Sequence, residues 1–226
     1  MRNGRHAAAV LFDIDGTLIT TGGAGAVAWR HAFEELYGIP ADIGQFSDAG
    51  MTDPEVGSRT FASVIGREPR ALELARLLSV RLEYLPQAVA EAPGFRVLRG
   101  VEALLPRLTE QGLLLGLTTG GTESAARFKL ARARLNRYFA FGGYGSDSTD
   151  RTELTRRAIE RAADLYGGEL DASRCLVVGD TPLDVHAAKG AGAIAVAVAS
   201  GHFDAESLDA AGADHVLTSL EEALPL

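Results

Sequence analysis

The chain has 226 residues, of which 46% are hydrophobic and 23% charged, with a formal net charge of −8. That composition supports a sizeable core and has the wrong sign for a general binder of nucleic-acid backbones, but it leaves room for a small phosphorylated ligand, because one metal ion and one or two cations can reverse the field inside a cleft. The single cysteine, Cys175, excludes an intramolecular disulfide and a multi-cysteine zinc site, and no apolar run approaches the ~20 residues of a membrane span.

Met1 to His6 is short and basic, and the six apolar residues after it are too few for a signal-peptide core, so a cytoplasmic protein is expected. Residues 7–12 read as a buried strand that stops at Asp13-Ile14-Asp15-Gly16-Thr17. Alternation along an extended backbone puts Asp13 and Asp15 on the same side. Like charges that close need a divalent cation or a shared proton to offset them, unless the stretch is simply a polar turn. Thr20 to Gly25 reads as a flexible joint. Gly23-Ala24-Gly25-Ala26-Val27-Ala28 fits Gly-x-Gly-x-x-Ala, but with no strand directly before it the segment is read as a hinge, not a dinucleotide site.

Helices are expected over 26–37, stopped by Gly38, and over 53–66 and 68–90. Trp29 is assigned to packing. In the last helix Leu72, Leu74, Leu77, Leu78, Leu82 and Leu85 form an apolar face, with Arg70, Glu73, Arg76, Arg81 and Glu83 between them. Gly50-Met51-Thr52-Asp53 is either a substrate-reading loop or a helix N-cap before Pro54. No buried strand is expected between about 20 and 95.

Past Pro93-Gly94 strands and helices alternate. Strands are expected at 113–117, 138–141, 175–179, 194–199 and 215–217, and helices at 101–110, 123–135, 151–166 and 184–189. Cys175 reads as a small core residue beside Leu176-Val177-Val178. His6, His31, His186, His202 and His215 lack zinc-ligand spacing, and His31 is assigned to packing or the surface. The expected fold is α/β: a doubly wound, mostly parallel sheet built from residues 1–20 and 96–226, with an all-helical cap inserted at 21–95. In such sheets ligands bind beyond the carboxyl ends of the strands. Asp13 and Asp15, Thr118 and Thr119, and Asp180 and Asp184 all follow apolar strands there, and the helical block is placed to close over them as a lid.

These motifs, in this order, resemble the haloacid-dehalogenase-like hydrolase superfamily, in particular its phosphoglycolate-phosphatase-like members. Asp13-Ile14-Asp15-Gly16-Thr17 is similar to its first motif, Leu117-Thr118-Thr119-Gly120 to its second, and Gly179-Asp180-Thr181-Pro182-Leu183-Asp184 to its fourth. The resemblance implies a Rossmann-like core and a Mg²⁺-dependent phosphatase that acts on a small phosphorylated metabolite, with phosphoglycolate as the suggested substrate. It makes Asp13 the nucleophile, and Asp15 the general acid and then base. Asp13, Asp180, Asp184 and the Asp15 carbonyl become metal ligands, with Asp184 as ligand or anchor. Thr119, favoured over Thr118, and Gly120 would hold the phosphate. The lysine of the third motif has no Lys-Pro counterpart: the segment reads Asp150-Arg151-Thr152-Glu153. Lys129, one of two lysines in an Arg-rich chain, is taken as the neutralising cation, with Arg151 as alternative or added phosphate contact. A phosphomutase or a non-catalytic binding protein on the same scaffold are the rivals; Asp15 argues against a dehalogenase. A monomer or homodimer is expected, with neither nucleic acid nor membrane as partner.

Overall fold

The computed structural model describes residues 7–46 and 48–226; Met1 to His6, including the basic segment and His6, and Ser47 lie outside the described residues. Six strands form one parallel sheet: β1 (Ala9–Phe12), β4 (Leu114–Thr119), β5 (Phe141–Tyr144), β6 (Cys175–Gly179), β7 (Ile194–Val198) and β8 (His215–Leu217). Their order is β5-β4-β1-β6-β7-β8, and every pairing is parallel. β1 is thus flanked by β4 and β6, with Phe12 opposite Leu117 on one side and Val178 on the other. This register carries the chain end after β1 between the chain ends after β4 and β6.

Alternating side chains bury both faces. Val10, Phe12, Leu176 and Val178 pack on one side with α4 (Val101–Glu110) and α5 (Glu123–Ala131). Leu11, Cys175 and Val177 pack on the other with α6 (Arg151–Tyr166), α7 (Pro182–Gly190) and Leu208 of α8 (Ala205–Ala210). Helices on both faces make the sheet doubly wound, as the composition of the strands requires. Burial pushes the Cys175 thiol up to about 11, in keeping with a core residue and not a nucleophile.

Between β1 and β4 lie α1 (Ala24–Tyr37), α2 (Asp53–Ile65) and α3 (Ala71–Glu91), packed on one another around Trp29, Phe33, Phe61 and Leu77. His31 stacks on Tyr84 at 5.0 Å, a packing role. Leu72, expected on the apolar face of α3, is exposed, while Arg81, expected among the polar positions, is buried. No helix among the described residues is long and apolar enough to cross a membrane.

Several boundaries differ from expectation. The joint expected at Thr20–Gly25 overlaps a strand, β2 (Ile19–Thr21), paired antiparallel with β3 (Phe95–Val97). The Gly-x-Gly-x-x-Ala segment therefore does follow a strand, but one in a two-stranded antiparallel ladder instead of a βαβ unit. Three-residue, half-buried strands carry no readable periodicity. β5 starts at Phe141, because Leu135–Tyr138 is a 3-10 turn. Gly142 and Gly143, past the expected end of the strand, belong to β5 and let α6 lie directly on it, where a Cβ at Gly143 would overlap the Leu154 carbonyl. α5 ends four residues early, at Ala131, and α8 was not expected at all.

Candidate active site

The strand ends deliver the acidic groups. Asp13 follows β1, its N–H donating to the Val178 carbonyl of β6 at 2.9 Å. Asp180 follows β6 and accepts from the Thr17 hydroxyl at 3.1 Å. Asp184 sits in the first turn of α7, in a reciprocal cap with Thr181: the Thr181 N–H and hydroxyl donate to its Oδ2 at 3.1 and 2.7 Å. Carboxylate oxygens of Asp13, Asp180 and Asp184 all lie within 4.8 Å of one another. Gly16 turns the chain at a φ of 84°, and Gly201 approaches from the loop after β7; a Cβ at either would overlap the Asp180 carboxylate.

Cations lie beside these groups. Arg151, the first residue of α6, pairs with Asp184 and lies 3.5 Å from Asp13 Oδ1. Lys129 reaches from α5 to Asp15, its Nζ 2.5 Å from Oδ2. The carboxylate of Asp15 thus faces a lysine and stands outside the three-aspartate cluster. Thr119 and Gly120 line the same cleft, which encloses about 420 Å³, whereas the Thr118 hydroxyl is engaged by Thr155 at 3.0 Å on the buried side. The structure therefore brings Asp13, Asp15, Thr119, Gly120, Lys129, Arg151 and Asp180 to one cleft, with Asp184 behind it.

Sequence reading missed a clamp at the edge of this cleft. The Asp53 carboxylate accepts from Arg81 at 2.6 Å and from the Thr122 N–H at 2.9 Å, while its own N–H donates to the Gly120 carbonyl at 2.8 Å. Arg81 is buried and lies over the Trp29 ring at 4.8 Å. Gly50 and Met51 line the cleft, and Thr52 is the N-cap residue of α2 with Pro54 in its first turn, though its hydroxyl makes no capping hydrogen bond and the Asp53 carboxylate goes to Arg81 and Thr122. Nothing in the spacing of residues 53, 81 and 122 signals this contact; only the placement of α2 and α3 against the β4–α5 loop reveals it. Ser200, Gly201, His202 and Arg96 also line the cleft and carried no sequence signal.

The electrostatics leave a surplus of negative charge. Burial, then the neighbouring Asp184, holds the Asp13 carboxyl well above the usual range, with Arg151 opposing. Burial and Asp184 likewise push Asp180 up to about 7. Burial pulls the Lys129 pKa down most strongly, but Asp15 and Asp53 together outweigh it and raise it. An all-oxygen cluster short of positive charge fits a hard divalent cation. Asp13 and Asp180 keep protons in the folded chain that the unfolded chain has lost, so the folded state binds more protons. Stability of metal-free protein should therefore fall as pH rises from about 4, the ordinary carboxyl value, through about 7. Melts in EDTA at pH 5 and pH 8 should show a drop of several degrees, shallower in Asp180→Asn. Added divalent cation should recover more at pH 8; equal slopes in the two proteins would contradict this assignment.

The haloacid dehalogenase-like hydrolase model matches residues 7–192. The phosphoglycolate phosphatase of Synechococcus elongatus is 30% identical over 217 residues, covering 96% of this chain and 95% of its own. That of Mesorhizobium japonicum is 30% identical over 208 residues, covering 86% and 84%. Among solved structures, CbbY from Rhodobacter sphaeroides in complex with phosphate superposes with a TM-score of 0.73 at 22% identity, over 96% of both chains. A hydrolase from Pseudomonas syringae gives 0.71 at 24% identity, over 95% and 94%. At these identities the two structures speak for the fold.

Proposed function

This chain belongs to the haloacid dehalogenase-like hydrolases, and from that membership we propose that it is a phosphatase of small phosphate monoesters, working with Mg²⁺ and accepting phosphoglycolate. The observation that carries this reading is the convergence of the Asp13, Asp180 and Asp184 carboxylates within 4.8 Å at the base of a cleft that also holds Asp15 and two of the cations paired above, Lys129 and Arg151. Asp13, Asp180 and Asp184, with the Asp15 carbonyl, are the groups that would hold the ion, and Asp184, fixed by Arg151 and Thr181, serves chiefly as the anchor. When bound, the ion offsets the repulsion between an anionic nucleophile and an anionic ester.

The chain's own residues account for the rest. An Asp13 carboxylate oxygen attacks phosphorus, the ester P–O bond breaks, and the leaving alkoxide takes a proton from Asp15. Asp15 then takes a proton from water as that water attacks the aspartyl-phosphate, which releases phosphate and restores Asp13. Lys129 orients the Asp15 carboxyl and faces the phosphoryl oxygens. The Thr119 hydroxyl and the Gly120 amide hold those oxygens. The Asp53 clamp braces the Gly120–Thr122 loop on which they depend. A helical lid made of α1–α3 and hinged at the β2–β3 ladder would exclude water during the first step.

A panel of phosphate esters with Mg²⁺ and with EDTA tests the proposal. Turnover should require the ion. Asp15→Asn should slow formation of the phosphoenzyme about a hundredfold with phosphoglycolate, but much less with p-nitrophenyl phosphate, whose leaving group needs no proton, while its breakdown slows equally for both. Metal-independent turnover, or an equal loss on both esters in the phosphoenzyme-forming step, contradicts the mechanism.

A further inference from the structure

The cations in and beside the cleft are already matched by carboxylates, with one exception. Lys129 is 2.5 Å from Asp15, Arg151 pairs with Asp184, and Arg81 is 2.6 Å from Asp53. A divalent ion would match Asp13 and Asp180. One cation in the cleft is left over. Arg96 lines it, is exposed, and among the described residues its side chain has neither a carboxylate nor a carbonyl partner.

Its position is set by the ladder that sequence reading missed. Arg96 is the middle residue of β3, paired with Thr20 of β2. Phe95 and Val97 on either side pack against the core, so alternation turns Arg96 to the opposite side, toward the cleft. The backbone is thus fixed while the guanidinium is free. Arg96 also borders a second cavity of about 790 Å³, which shares Leu98 and Ser200 with the first. There the other arginine, Arg99, is held by Glu221 at 2.6 Å. The unmatched positive charge therefore sits on the wall of the cleft outside the aspartate cluster, where the alcohol part of an ester would lie.

We infer that Arg96 is a specificity-determining residue that pairs with a second anionic group, a carboxylate or a second phosphate, on the leaving alcohol. This rests on the phosphatase reading above and narrows it: preferred substrates are compact esters with an acidic alcohol part. A guanidinium fork suits either oxyanion, since it can donate two parallel hydrogen bonds. A cleft of about 420 Å³ lies toward the small end of ligand pockets, which favours an alcohol of few carbons.

The test compares kcat/KM for phosphoglycolate, a short-chain bisphosphate and ethyl phosphate in wild type, Arg96→Gln and Arg96→Lys. Wild type should prefer one or both acidic esters to ethyl phosphate by roughly tenfold or more. Arg96→Gln should bring that ratio close to one, chiefly through KM, and Arg96→Lys should keep part of it. Which acidic ester suffers more identifies the second anion. In the Asp13→Asn background, calorimetry should show Arg96→Gln weakening phosphoglycolate binding by a similar factor. Ester hydrolysis with no preference in wild type, or an unchanged ratio in Arg96→Gln, overturns this inference and leaves the phosphatase reading standing. Absence of any metal-dependent ester hydrolysis overturns both.

Discussion

Asp13→Asn should abolish hydrolysis of every phosphate ester, by at least about ten-thousandfold in kcat, without costing the folded protein stability. The two halves of this expectation come from the same burial. Asp13 is 6% exposed and follows β1, one of the two middle strands of the sheet, beside the end of β6. An amide of the same shape fills the space but offers no anionic oxygen to phosphorus. Burial and Asp184 already raise the free energy of the Asp13 anion, so replacing it with a neutral group relieves repulsion. Metal-free Asp13→Asn should melt at or above the wild-type temperature at pH 8. Acid quenching during turnover should trap a phosphoprotein in wild type and none in the variant. Activity within tenfold of wild type would remove Asp13 as nucleophile.

Arg151→Ala should lose about a thousandfold in kcat/KM and also destabilise the fold, whereas Lys129→Ala should lose less and keep its stability. Arg151 is buried, contacts Asp184 directly and lies 3.5 Å from Asp13. Removing one partner of a buried ion pair strands the other charge, at a cost of about 3–5 kcal/mol. Here two carboxylates, Asp184 and Asp13, would share that loss. Lys129 serves Asp15, whose side chain is 44% exposed and can be rescued by water. Its removal should act on proton transfer, with a greater effect on alkyl esters than on p-nitrophenyl phosphate. Arg151→Lys should recover charge without the planar guanidinium that reaches both Asp184 and Asp13, and so recover only part of the rate. The favoured cation in the sequence was Lys129, on the argument that a retained lysine marks a need for a point charge. A larger loss in Lys129→Ala than in Arg151→Ala would assign that role to Lys129.

Much of the sheet was legible for a physical reason. Parallel strands buried on both faces must be short continuous apolar runs, and β1, β4, β6 and β7 are such runs, the first three ended by Asp, Thr or Gly. Asp13, Thr119 and Asp180 could be grouped because strand order places chain ends together whatever the loops do. The Asp53–Arg81 pair could not be grouped, since two helices with independent amphipathic patterns say nothing of their mutual rotation. Arg81 even sat among the positions expected to face water. Arg96 was equally silent: its orientation follows from the β2–β3 pairing, and two strands of three residues leave no period to read.

The floor beneath Asp180 has a consequence for redesign. Gly16 and Gly201 come from opposite ends of the chain, yet both press on one carboxylate, and neither has room for a methyl group. Mutational drift at either would displace the Asp180 carboxylate before it altered anything a substrate touches. Libraries aimed at new substrates should therefore leave both glycines untouched and vary Met51, Arg96 and His202 on the walls. There a side chain can change size or charge without passing its strain to the aspartates.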